Sequence, residues 1–170
     1  DGRVHLVYTD SPAVGSFDTD IFSRYSDDDG LNWSEPIQIN DADPHSQFLP
    51  SVAVDATSGN VGVAWYTATD SSNVQTQFIA TLSDDGGSTW NRIAYQVSLG
   101  ESDATDPSID ERGKKFQYGD YSGLSFVSGV LVPVWADNSV ELAGNPDPRS
   151  FDLASARITV AQVTNAPLMV

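Results

Sequence analysis

The chain has 170 residues, 39% of them hydrophobic, with 24 Asp and Glu against 8 Lys and Arg, two His and no Cys. That apolar share supports a folded core, while a formal charge of −16 argues against nucleic acid, whose phosphates are held by basic side chains, and against anionic membrane surfaces. Cysteine-free sequence excludes disulfide and thiol chemistry, and no apolar run approaches the roughly 20 residues that cross a bilayer.

The first strand-like run, "VHLVYTD" (4–10), follows Asp1 almost directly, with no initiator Met and no signal peptide. This is the pattern expected of a fragment of something longer. "DIFSRYS" (20–26) and "EPIQIN" (35–40) are the next two β-rich runs. "SVAVDATSGNVGVAWYT" (51–67) reads as two strands around Ser58-Gly59-Asn60, a hairpin signal. "VQTQFIATLS" (74–83) and "RIAYQVS" (92–98) supply a third and a fourth strand. A long polar connection, 98–120, leads to "YSGLSF" (121–126), "VLVPVWAD" (130–137) and "FDLASARITV" (151–160). "DPSID" (106–110) competes for the place of inner strand, but "YSGLSF" is preferred because it meets "VLVPVWAD" across Ser128-Gly129. No segment carries helical periodicity.

Two features repeat with one period. "VHLVYTD" and "VGVAWYT" begin at residues 4 and 61, and Trp33 and Trp90 close two copies of S-x-D-x-G-x-x-W, so both features recur after 57 residues. "VLVPVWADN" (130–138) is a third copy of the strand feature after an insertion. Repeated four-stranded antiparallel units arranged around an axis are propeller blades. In each motif, Gly30 or Gly87 takes backbone angles other residues resist, and Ser26 and Asp28, or Ser83 and Asp85, have side chains suited to bonding turn amides. The motif therefore reads as a fold device, with Trp33 and Trp90 expected to be largely buried beside their turns.

These motifs resemble the Asp-box, or BNR repeat, of the sialidase superfamily, with Ser26, Asp28, Gly30 and Trp33 as one box and Ser83, Asp85, Gly87 and Trp90 as the other. "YGDYSGLSF", "PVWADN" and "FDLASARITV" are similar to secreted bacterial proteins with sialidase-like propellers, so the resemblance runs over nearly the whole chain. It implies an all-β fold: about three four-stranded blades, approximately 1–40, 41–98 and 99–163, of a six-bladed propeller, followed by a tail or linker at 164–170. The third unit has "ARITVAQVT" where a box would stand. A secreted or cell-surface location, a glycan partner and contact with the remaining blades of a longer chain follow from the same resemblance.

In such blades the loops after second and fourth strands share one face, opposite the box turns. That face draws on residues 10–20, 40–48, 68–76, 98–120 and 137–150. Loops on a rigid scaffold commonly carry function, and a 98–120 connection is long enough to suggest it. Sialidases use a Tyr nucleophile activated by a Glu, an Asp acid/base and three arginines on the substrate carboxylate. Tyr121-Ser122-Gly123-Leu124 resembles the context of that nucleophile. The resemblance accordingly assigns Tyr121, Asp120 and Asp137 to catalysis, and Arg112, Lys114, Lys115, Tyr118, Arg149 and Trp135 to substrate binding. The alternative for Tyr121 is a side chain lining or plugging the propeller channel; Trp135 and similar aromatics can equally be core. The F-R-I-P motif is absent, and Phe48-Leu49-Pro50 has Leu where its Arg would be. That motif belongs to the first blade of the family, outside this sequence.

Other chemistry is poorly represented. His5 and His45 are too isolated for zinc, and there is no G-x-S-x-G or phosphate loop. No cofactor is called for; calcium in the acidic loops "DADP" (41–44) and "DATDP" (103–107) stands against the plainer reading of solvated turns. Three functions remain open: an exo-glycosidase of sialidase type or a degenerate relative acting on glycans, a non-catalytic propeller binding glycan or protein, and a structural extracellular module.

Overall fold

The computed structural model describes residues 2–11, 13–14, 16, 18–41, 44–91, 94–103, 118–119, 121–139 and 151–161. Among them are twelve strands in three antiparallel sheets and no helical element. The first sheet has the order β1 (Val4–Asp10), β2 (Asp20–Ser26), β3 (Ile37–Gln38). The second runs β4 (Gln47–Val54), β5 (Val61–Ala68), β6 (Gln75–Ser83), β7 (Tyr95–Gln96), with β8 (Ser102–Asp103) also on β6. In the third, β10 (Val130–Asp137) pairs with β9 (Gly123–Val127) on one side and with β11 (Asp152–Ser155) and β12 (Ile158–Thr159) on the other. The three sheets follow one another along the chain, with an apolar cluster packed at each junction.

The expected inner strand is confirmed: β9 pairs in register with β10, from Gly123↔Val134 to Val127↔Val130. Its two-residue connection has positive φ at both Ser128 (51°) and Gly129 (75°), the turn geometry that matches the twist of a tight hairpin. The outer strands are less regular than their sequences suggest. "RIAYQVS" keeps only the two residues of β7 in the ladder, and the β6 register then slips by three residues before Ser102 and Asp103 resume pairing as β8. Between them, both Val97 N and Ser98 N donate to the Phe78 carbonyl (2.8 and 3.1 Å). "FDLASARITV" likewise divides into β11 and β12 along one side of β10.

Alternation along β5 explains the packing. Val63 and Trp65 turn toward a cluster with Ile21, Ile39 and Ile79, between the first and second sheets. Ala64 and Tyr66 turn toward a larger cluster with Phe78, Tyr118, Phe126, Leu131 and Trp135, between the second and third. Successive side chains of a strand face opposite ways, so a sheet covered on both sides buries every residue of its central strand, as β5 does. Tyr66 spans the second seam: its hydroxyl donates to Ala136 O and accepts from Ala136 N, both at 2.9 Å. Burial pushes its phenol pKa well up.

The strands have two distinct ends. Both S-x-D-x-G-x-x-W turns and the β4–β5 and β9–β10 hairpins lie at one, the turn end. There, the Asp55 carboxylate accepts from Thr57 N (2.9 Å) and Gly129 N (2.6 Å), tying the hairpin of one sheet to that of the next. Asp137 stands at the other, the loop end, across from Asp152. The turns and Asp137 are thus on opposite ends, as the blade pattern predicts.

Candidate functional site

At the loop end, segments from all three sheets are stitched together. Gln47 N donates to Thr19 O (2.7 Å), joining the first and second sheets. Ser46 N donates to Asn73 Oδ1 (3.0 Å). Asp70 shapes the 69–74 loop by accepting from Val74 N (2.8 Å) and Gln75 N (2.9 Å). The Ser72 hydroxyl, followed by the Gln75 amide, holds the Asp70 carboxyl at a pKa of about 2.

The densest network joins β8 to the end of β10. Asp137 Oδ1 accepts from Ser102 Oγ and Ser139 N, both at 2.7 Å, while Asp137 Oδ2 is 3.3 Å from Trp135 Nε1. Asn138 clamps Asp103 in both directions, accepting from Asp103 N at 2.9 Å and donating to Asp103 O at 3.0 Å. The Tyr118 hydroxyl donates to Ser102 O at 3.0 Å. Two residues singled out in the sequence, Tyr118 and Asp137, therefore converge on Ser102, and a third, Trp135, joins them through Asp137. Tyr118 and Trp135 are only 6% and 4% exposed and sit in the core between sheets. Phe78 stacks on Trp135 at a ring separation of 5.0 Å and an angle of 4°. Ser102 had no motif to announce it; its role depends on the strand slip that brings β8 onto β6.

Beside this network lies an apolar cavity of about 290 Å³ lined by Val97, Leu99, Trp135, Leu153 and Ala156, with Asp137 and Asp152 among its polar groups. At the turn end a more polar groove of about 740 Å³ runs between Arg3, Asp27, Asp55 and Asp84–Gly86.

Tyr121 stands apart from the Ser102 network. It precedes β9, is 89% exposed, and adjoins Ser122, whose hydroxyl lies 3.0 Å from Leu49 O and 3.2 Å from Ser51 Oγ of β4. Asp120, Arg112, Lys114, Lys115 and Arg149 lie outside the described residues. Of the described arginines, Arg3 is engaged at the turn end by Asp27 (2.6 and 2.8 Å) and Gly86 O (2.8 Å), and Arg24 donates to Ser34 O at 2.6 Å. Arg157 falls between β11 and β12, beside the first half of β10. Among the described residues no group of three or more His, Cys, Asp or Glu is arranged to hold a metal ion.

The two motif turns close as their residue types require. Ser26 Oγ donates to Asp28 Oδ1 (2.8 Å) and accepts from Gly30 N (2.9 Å); Asp28 Oδ1 also accepts from Asn32 N (2.8 Å). Ser83, Asp85, Gly87 and Thr89 repeat the pattern at 2.8, 2.7 and 2.8 Å. Trp33 and Trp90 are mostly covered, as expected, though neither is fully buried. Each indole lies over its own glycine, leaving its outer face less covered; a Cβ on Gly30 or Gly87 would stand 3.7 or 3.8 Å from the ring.

Over 81% of its length, the chain superposes on the Hadza microbial sialidase Hz136 with a TM-score of 0.55 and 18% identity, covering 30% of that protein. The fold is sialidase-like. The intramolecular trans-sialidase from Ruminococcus gnavus overlaps 92% of the chain at 17% identity and a TM-score of 0.40, with 31% of its own length covered. The leech intramolecular trans-sialidase overlaps 97% at 13% identity and a TM-score of 0.39, with 30% covered. The chain thus spans less than a third of the length of these sialidase structures. No protein-family model and no curated protein matches it. In the sialidase-like fold, Tyr121 leads an inner strand, while Asp137 ends the second strand of the same sheet.

Proposed function

We propose that the chain forms part of a sialidase-like propeller acting on glycans, as an exo-glycosidase of sialidase type. The observation that carries this reading is an exposed tyrosine, Tyr121, at the head of inner strand β9 on the loop end of a sialidase-like fold. A phenol ordinarily loses its proton only near pH 10, so a nucleophilic Tyr121 needs a neighbouring base and a shielded reaction centre. In the proposed reaction its oxygen attacks the anomeric carbon, forming a glycosyl–tyrosine bond as the glycosidic C–O bond breaks. A carboxylic acid protonates the departing oxygen, and water then releases the sugar. Asp120 and Asp137 are the proposed carboxyl groups. Arg112, Arg149, Lys114 and Lys115 are the proposed source of positive charge for an anionic substrate, while Tyr118 and Trp135 are buried between the sheets. A secreted or cell-surface setting fits glycans as partners.

Hydrolysis of a fluorogenic sialoside by the intact propeller tests this reading. Tyr121→Phe is expected to lower kcat by several orders of magnitude while folding survives, because it removes the reacting oxygen. Absence of hydrolysis by wild type across a panel of glycosides would overturn the catalytic reading. The second reading, glycan binding without turnover, is supported by two features. Arg3 and Arg24 are committed away from the loop end, and Asp137 is already surrounded by Ser102, Ser139 and Trp135. Under that reading, Tyr121→Phe costs at most about 0.5–1.5 kcal/mol of binding, the net value of one hydrogen bond.

A further inference from the structure

The ladder between β9 and β10 ends at Gly123↔Val134, leaving Tyr121 and Ser122 beyond its last pair. Among the described residues, the Tyr121 side chain makes no hydrogen bond, and it is 89% exposed. Its position therefore depends on its backbone, and the nearest fixed point on that backbone is Ser122. The Ser122 hydroxyl has one proton; donated to Leu49 O at 3.0 Å, it leaves an oxygen lone pair for the Ser51 hydroxyl at 3.2 Å.

The other half of this contact is unusual. Leu49 has φ of +51°, a left-handed conformation that is uncommon for any residue with a Cβ and carries strain. It also precedes Pro50, whose ring disfavours helical angles in the residue before it. Around it, the β4–β5 ladder passes from Phe48↔Tyr66 to Ser51↔Ala64, so Leu49 and Pro50 together oppose the single residue Trp65. This is a β-bulge, a device that redirects groups and frequently adjoins functional sites. Here it accompanies the Leu49 carbonyl's contact with Ser122 at the head of β9. Phe48 holds the approach to the bulge by stacking on Tyr66, with ring centroids 5.3 Å apart. A strained residue persists when its surroundings fix it, and an observed outlier is sound ground for a functional hypothesis.

We propose that Ser122 is the positioning residue for Tyr121, latching the head of β9 to the carbonyl presented by the left-handed Leu49 of β4. The catalytic part of this inference rests on the reading of Tyr121 as the reacting group; the latch itself does not. Ser122 touches no reacting atom in this scheme. Its hydroxyl limits where the Tyr121 oxygen can stand, and misplacement of a reacting group by about 1 Å can cost on the order of a hundredfold in rate. Leu49 serves the latch through its backbone, while its side chain packs on the core cluster; glycine, which accepts the same φ, can retain the latch at a cost in stability.

The test uses the intact propeller with a fluorogenic sialoside, together with amide hydrogen exchange at residues 121–123. Ser122→Ala is expected to lower kcat about 10–100-fold while KM stays within about twofold, the signature of a transition-state effect. Exchange at residues 121–123 should accelerate while distant strands remain unchanged. Ser122→Thr should restore kcat to within about threefold of wild type, and Leu49→Gly should stay in the same range. Should Ser122→Ala fail to fold, Ser122→Cys, close in shape but a weak donor, provides the same comparison. Wild-type kcat in a folded Ser122→Ala, with unchanged local exchange, would overturn the latch. If wild type cleaves no sialoside, the enzymatic reading falls, and exchange alone decides the latch: acceleration at 121–123 sustains it, whereas no change overturns it.

Discussion

The turn at Ser26–Trp33 and the turn at Ser83–Trp90 have the same four signature residues and nearly the same hydrogen bonds, yet they occupy different surroundings. In the first, Trp33 Nε1 donates to Gly30 O at 3.1 Å, and the ring serves mainly its own turn. In the second, Trp90 packs against the cluster of Val63, Trp65 and Ile79, while its Nε1 is buried without a described partner. The first sheet also grips the second turn. Arg3 reaches Gly86 O (2.8 Å), and the His5 ring lies where it would be 3.1 Å from a Cβ on Gly87. The motif closes its turn through local bonds, but the importance of each copy depends on the neighbour packed against it.

The largest expected contrast is at the glycines. Gly30 and Gly87 have φ of 87° and 84°, so alanine is strained at both, but only Gly87 also faces His5. Gly30→Ala should cost about 1–2 kcal/mol from left-handed geometry; Gly87→Ala should cost about 2–4 kcal/mol once displacement of the ring is included. Chemical denaturation of the intact protein distinguishes them, and equal costs would remove the special status of the second turn. Next come the indoles. Trp90→Ala is expected to cost about 2–3 kcal/mol and Trp33→Ala about 1 kcal/mol, both below a fully buried aromatic because each keeps part of its surface in solvent. A smaller effect is expected for Arg3→Gln, about 0.5–1 kcal/mol with screening by salt, since the Arg3–Asp27 pair is largely at the surface.

pH sharpens the same comparison. Asn32, through its side chain and then its amide, together with Ser26 Oγ, lowers the Asp28 carboxyl from 3.8 to about 2. Its stabilising contribution is therefore present above pH 3.8 and lost as pH falls toward 2. In the second turn, burial opposes ionisation of Asp85, but the Thr89 and Ser83 bonds outweigh it and lower the pKa. His5 titrates in the other direction. Burial, followed by the charge of Arg3, lowers its pKa below 6.5, against a weaker opposing pull from Asp27. Its neutral form therefore favours the folded state above pH 6.5, and this contribution declines as pH falls below 6.5 through the lowered folded value. An imidazole resonance of His5 with a midpoint below 6.5, and a weaker decline in that window for His5→Gln, are the expected results. A midpoint at or above 6.5 would break this account of the seam.

The regular part of this architecture was readable from local pattern. The 57-residue spacing and Ser58-Gly59-Asn60 identified repeated strands and a hairpin because alternating side chains and turn residues act over short distances. The divided outer strands were harder to see. Ser102 and Asp103 carry no strong strand signal, and they pair only after a slip whose bonds involve Phe78 and Ser98. The difference between Trp33 and Trp90 depends on which surfaces reach them, whereas the motif specifies only the glycine beneath each ring. At the loop end, strand β9 behind Tyr121 was legible from "YSGLSF" and its hairpin with "VLVPVWAD". The Leu49 bulge was not: its Leu-Pro sequence ordinarily favours extended backbone, and Ser122 lies 73 residues away in sequence.

The interrupted outer strand of the second sheet also bears on solubility. A long, flat outer strand offers an uninterrupted row of amides and carbonyls for another molecule to join. Here that row is divided into the two-residue pieces Tyr95–Gln96 and Ser102–Asp103, separated by a stretch that folds back to Phe78 and includes Gly100. With a formal charge of −16 across the chain, another strand would meet a discontinuous template and electrostatic repulsion. The same irregularity that brings Ser102 to Asp137 thus makes this rim a poor seed for edge-to-edge aggregation.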